Sequence, residues 1–124
     1  MVILGISCWY HDASATLLVD GHIAAACAEE RFTRIKHDNA FPVHAIQWCL
    51  SWVGLTSNDI DMVVFYEKPI IKFDRLMRQH IDGFPRTRKM FIDTIGSWFD
   101  SRLEMKKVLK KEIGYIGELT YVRH

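Results

Sequence analysis

Several signposts of common function classes are missing from this chain. Its three cysteines, Cys8, Cys27 and Cys49, sit among apolar neighbours, and no Cys-x-x-Cys pair occurs. An odd count without metal-type spacing fits reduced, buried thiols better than a disulfide framework. No HExxH, P-loop or GxSxG motif is present. No apolar run approaches the roughly 20 residues of a membrane span. The opening MVILGISCWYHD has no basic region, and its apolar run is too short for a secretory leader, so the expected compartment is the cytoplasm. An excess of one charge is also absent. Lys and Arg number 16 against 15 Asp and Glu, a net charge of +1, and nothing global calls for nucleic acid or an anionic membrane.

What is there is ordinary globular material, 49% hydrophobic and 25% charged over 124 residues. That length suits one domain, or one lobe of a larger one. Val2 to Trp9 is an apolar, β-branched run and reads as a buried strand. After the break Tyr10-His11-Asp12, Ala13 to Val19 continues in the same style. Asp20-Gly21 then gives the strongest hairpin signal in the chain, with Ile23 to Cys27 returning. Together they predict a three-stranded antiparallel meander.

Phe41-Pro42 opens a helix whose apolar residues Val43, Ile46, Trp48, Cys49, Leu50 and Val53 fall near helical spacing, with Gly54 as its stop. Trp48 and Trp52, four apart on it, are expected in the core. Ser57 or Asn58 would cap a further short turn. Met62 to Tyr66 is a second buried strand, and the strand–helix–strand order implies parallel pairing. Residues 70 to 113 suggest two or three helices, with the basic RTRK and KK runs read as solvated faces. Leu119 to Val122 is a last short strand. This element order predicts an α/β chain with the architecture of half a lobe of the actin-like, sugar-kinase-like ATPases.

Three features could carry chemistry. A turn between buried strands usually takes Gly, Asn or Asp, so His11 stands out. A neutral imidazole there could take a proton from a substrate hydroxyl, with Asp12 fixing its tautomer; the bland alternative is a hydrogen-bonded turn histidine beside an Asx-type contact. The run EERFTRIKHD, 29 to 38, could cradle an anion through Arg31, Arg34 and Lys36, or could pair Glu29 and Glu30 internally with those cations. His124 follows the last strand, where α/β folds place ligands, although one histidine alone is a weak metal signal. His22, His37, His44 and His80 are isolated in sequence and read as surface or structural.

The stretch from Ile3 to Leu50, ILGISCWYHDASATLLVDGHIAAACAEERFTRIKHDNAFPVHAIQWCL, resembles the opening of the O-carbamoyltransferases of the nodulation and antibiotic-tailoring type. That family pattern has an ILG strand, a YHDSA-like turn, a VDG hairpin, an EERF-(S/T)-R run and an FP-x-x-AI helix. The likeness is dense over 3 to 50 and looser beyond, where the element order and the final YVRH carry it. It implies an actin-like N-terminal domain related to the threonylcarbamoyl-transfer proteins. Such a domain binds carbamoyl-adenylate, made from carbamoyl phosphate and ATP, together with an iron-like divalent metal. The carbamoyl group passes to a hydroxyl of a sugar or natural product.

Residue by residue, the resemblance puts His11 near the transferring group and His124 at the first histidine of an HxxxH metal motif. It implies that 1–124 is the N-terminal portion of a several-fold longer enzyme, inactive alone. Thr16 departs from the family's preference for small residues in that stretch. An exposed apolar face, left by the missing part, would favour self-association. The competing readings are a non-catalytic half-lobe serving as a binding or structural module, and a kinase or ATPase lobe. WYHDASA in place of a DxGxT-like phosphate loop disfavours the kinase.

Overall fold

In a computed structural model the described residues are 1–9, 12–66, 78, 82, 83, 85, 86, 89, 92 and 105–122. They form a mixed five-stranded sheet with helices, an α/β fold. Strand β1 (Val2–Ser7) runs antiparallel to β2 (Ser14–Val19), and β2 antiparallel to β3 (His22–Ala28). On the other side of β1, β4 (Met62–Phe65) and then β5 (Glu118–Tyr121) are added in parallel. The sheet order is β3-β2-β1-β4-β5. The expected meander and the parallel return are both present.

The hairpin between β2 and β3 uses the residues that its turn type demands. Asp20 and Gly21 have φ of 50° and 82°, the paired positive values of a type I′ turn. A bulge follows: Leu17 pairs with Ala25 but Leu18 with Ile23, so Ala24 is an extra residue in β3.

Cross-strand pairing puts one apolar face together. Leu4 lies opposite Leu17 and beside Val63, and Ile6 opposite Ala15 and beside Phe65; all are buried. Helix α2 (Val43–Val53) lays Ala45, Ile46, Cys49 and Leu50 on β2 and β3, a stripe of helical period. A first, shorter helix, α1 (Glu30–Thr33), leads from β3 towards it. Helix α3 (Met105–Ile113) adds Met105 and Leu109 to the same core.

Helix α2 ends as expected. Gly54, at φ 75°, donates to Leu50 and Ser51 carbonyls, and the Leu55 amide closes on Leu50. The short 3-10 turn Ser57–Asp59 is capped by Thr56 rather than by Ser57 or Asn58. The Thr56 hydroxyl and amide both donate to Asp59 Oδ2 at 2.7 Å, which holds that carboxyl below its ordinary range. Most of the helical segment expected over 70 to 113 lies outside the described residues; α3 is the part within them.

Two expectations about α2 are corrected. Trp48 and Trp52 do stack, with ring centroids 5.4 Å apart, but they face outward and Trp52 is 68% exposed. The stripe that packs on the sheet is offset from them, so spacing of four marked a shared face without saying which face. His44, expected to be isolated, is bonded to Glu29, the buried charged residue of the described chain. Glu29 Oε2 accepts the Ala45 amide at 2.7 Å, and Oε1 accepts His44 Nδ1–H at 2.6 Å and the His44 amide at 3.2 Å. A carboxylate from the end of β3 therefore satisfies the first turn of α2 and meets the positive end of its dipole.

Two expected outcomes follow from this packing. Glu29→Ala orphans one buried and one part-buried helix N–H group, those of Ala45 and His44, and should lower stability in chemical denaturation by about 2–3 kcal/mol, with Glu29→Gln, which keeps an acceptor, losing less. Burial pushes the Cys49 thiol up to about 11, so half-buried Cys27 should alkylate in the native protein while Cys49 labels only on unfolding, as mass spectrometry would report.

Candidate active site

Parallel addition of β4 and β5 to β1 brings three strand C-termini to one end of the sheet. The register places Ser7, Ser14 and Ala28 in one row and Ile6, Phe65 and Tyr121 in another beside it. What leaves the sheet there is the turn after β1, the charged run after β3 and the tail after β5. Open α/β sheets present ligands at such an end. An aromatic cluster floors it: Trp9 lies 5.7 Å from Phe65, which meets Tyr66 at 5.1 Å and Tyr121 edge-on at 6.3 Å. Burial raises the Tyr121 hydroxyl above its ordinary range.

The charged run folds back over the β1–β2 turn. The Trp9 amide donates to Asn39 O and the Ala13 amide to Asp38 O, each at 2.7 Å. Asp12 Oδ1 meets His37 Nδ1 at 3.1 Å. The Ser7 hydroxyl closes the turn from within, donating to Asp12 O at 3.4 Å. Two sequence features quoted separately, YHD and EERFTRIKHD, are thus one piece of structure. His37, expected to be isolated, makes a side-chain contact between them.

The candidate anion cradle is built by α1 and the residues after it. Its N-terminal side is fixed by the Glu29 amide donating to Ala13 O at 2.8 Å. Arg34 then turns the chain with a left-handed φ of 60°, and its amide closes on Glu30 O. Glu30, Arg31, Arg34, Ile35 and Lys36 line an open recess of about 360 Å³. The internal pairing offered as the alternative does not form. Glu29 is committed to α2, and among the described residues no ion pair takes Arg31, Arg34 or Lys36. Three exposed cations face one recess, an arrangement suited to phosphate oxygens.

His11 and His124 lie outside the described residues. In sequence the first lies between Trp9 and Asp12, and the second follows β5 by three positions. Among the described residues no group of three His, Cys, Asp or Glu could hold a metal ion. Asp12, proposed from sequence as a partner of His11, is exposed and has His37 as its observed partner. Sequence reasoning missed the Glu29–His44 and Asp12–His37 contacts, because residues 15 and 25 apart carry no periodic signal.

The family model described as carbamoyltransferase N-terminus matches residues 2–123. The uncharacterized protein sll1178 of Synechocystis is 45% identical over 116 residues, covering 94% of this chain and 19% of its own length. Nodulation protein NolNO of Sinorhizobium fredii is 46% identical over 56 residues, 45% of this chain and 8% of its own. A 19.2 kDa Rhizobium etli protein encoded in the syrM 5′ region is 43% identical over 56 residues, 45% of this chain and 33% of its own. The chain thus spans about a fifth of the length of the Synechocystis relative. With the match running over nearly every residue, from β1 through β5, the chain belongs to the carbamoyltransferase N-terminus family.

Proposed function

We propose that this chain is the N-terminal portion of an O-carbamoyltransferase that passes a carbamoyl group from carbamoyl-adenylate to a hydroxyl of a sugar or natural product. The observation that carries the reading is the bonding of the β1–β2 turn to His37, Asp38 and Asn39, the continuation of the segment whose Arg31, Arg34 and Lys36 line one recess without an ion pair among the described residues. A transfer site needs a proton acceptor near the nucleophile and positive charge near the departing phosphate, and these segments supply one each. In the step, the imidazole of His11 takes the acceptor's hydroxyl proton as the new O–C bond forms. The carbonyl carbon's bond to the phosphate oxygen breaks, and AMP leaves with that electron pair. Arg31, Arg34 and Lys36 hold the phosphate, and Asp12 belongs to the same turn.

The actin-like half-lobe is part of this reading. Its support is the sheet order, with a three-stranded antiparallel unit extended by parallel strands. ATP and carbamoyl phosphate, the hydroxyl acceptor and a cytoplasmic location belong to the reading as well. So does self-association through apolar surface, for which exposed Trp52 and Ile23 offer material. The iron-like metal, with His124 as one ligand, rests on the family resemblance alone. The described residues do not build a metal site, and no step here runs through one.

The test uses the full-length protein and separates adenylate formation, followed with ATP and carbamoyl phosphate, from carbamoyl transfer to a monosaccharide panel. His11→Asn should cut transfer by something on the order of 100-fold while adenylate formation survives. Its stability should move by no more than about 1 kcal/mol, because a turn residue seldom supports the core. Loss of folding together with both activities would identify His11 as a structural turn residue. Absence of transfer in the wild type would favour a binding or structural module.

A further inference from the structure

Among the described residues four that are not glycine carry a positive φ, and three of them, Trp9 at 71°, Arg34 at 60° and His37 at 58°, lie on the two segments that meet at the candidate site. The fourth, Asp20, is the hairpin residue that a type I′ turn calls for. Bulky side chains in this region are strained and persist only where surrounding contacts impose the conformation. Here the imposing contacts are few. The backbone at Asp38 and Asn39 accepts the Ala13 and Trp9 amides. The Asp38 carboxylate accepts the Ala40 amide at 3.0 Å, which with the Thr33 hydroxyl holds it below its ordinary range. Asn39 Nδ2 reaches Trp9 O at 3.5 Å, the limit of a hydrogen bond. Among the described residues the short side-chain contact across the junction is therefore the one between His37 and Asp12.

We infer that His37 is a positioning residue for Lys36. By holding Asp12, it fixes where the neighbouring Lys36 sits relative to the turn that carries His11. The pair is exposed, its side chains 71% and 57% accessible, so it adds little to global stability. Its effect is geometric. Lys36 precedes His37 directly, and a left-handed backbone at His37 sets the direction in which the chain leaves Lys36. Charge that must meet a phosphate within hydrogen-bond reach is sensitive to displacements of this size. The consequence for ligand binding rests on the proposed carbamoyl-transfer reading; the contact across the junction does not.

The experiment takes the full-length protein with His37→Ala, His37→Gln, Asp12→Asn, Lys36→Ala and the His37→Ala/Lys36→Ala pair. Amide hydrogen exchange reads the junction, and titration with AMP reads the cradle. In His37→Ala and Asp12→Asn the Trp9 and Ala13 amides should exchange on the order of threefold faster, with Leu4 and Ile6 unchanged. His37→Ala should weaken AMP on the order of fivefold, and His37→Gln, whose side-chain N–H can reach Asp12, should recover most of that loss. Added to Lys36→Ala, His37→Ala should cost nothing more, because it acts through the lysine. Unchanged Trp9 and Ala13 exchange would overturn the contact as a pin. Multiplicative losses in the double variant would overturn its action through Lys36. A wild-type protein that ignores AMP would remove the positioning role together with the proposed ligand, while the exchange data would still judge the pin.

Discussion

The side chain on which most of this architecture depends is the carboxylate of Glu29, buried at the point where β3 ends and satisfied by the first turn of α2. A buried charge without partners is expensive, and helix N–H groups without acceptors are costly as well. Each problem solves the other here. Because Glu29 cannot shift without stranding both, it sets the position of α2 on the sheet, and through it the packing of Ala45, Ile46, Cys49 and Leu50. The same residue begins the charged run. The packing of the core and the origin of the cationic arm therefore share one anchor.

From that anchor the arm reaches the β1–β2 turn by a path that ordinary loop chemistry would avoid. Trp9, Arg34 and His37 accept left-handed backbones where glycine or asparagine would be cheaper. Such choices make sense where side chains are wanted at those positions for another reason. Of the three, Arg34 lines the recess together with Glu30, Arg31 and Lys36, and His37 makes the contact to Asp12.

Much of the frame was legible in the residues because its signals are local. Asp20-Gly21 specifies a turn by backbone conformation, Gly54 a helix end, and the runs around Leu4, Leu17 and Val63 buried strands. Strand–helix–strand order was enough for the parallel pairing of β4 with β1. What periodicity could not supply was pairing at a distance. Glu29 with His44, and Asp12 with His37, are set by how the sheet folds back. For that reason Glu29 looked like a partner for the arginines beside it. The tryptophans illustrate a different gap: spacing of four put Trp48 and Trp52 side by side, but the buried stripe of α2 runs through Ile46 and Leu50 instead. Thr56, not Ser57 or Asn58, capped the 3-10 turn because Asp59 lay at the reciprocal position.

The place of β1 in the sheet has a consequence in time. Its antiparallel neighbour β2 follows within twelve residues, whereas its parallel neighbour β4 begins some sixty residues along the chain. Loop closure favours the first pairing heavily during synthesis, and domains form from the N-terminal side as they emerge. The meander, the arm that folds back on it and the start of α2 all come from residues before Leu50. The nascent chain can therefore assemble the turn, the cradle and their junction while β4 and β5 are still unmade, leaving one edge of β1 open to mispairing until Met62–Phe65 arrives to cover it.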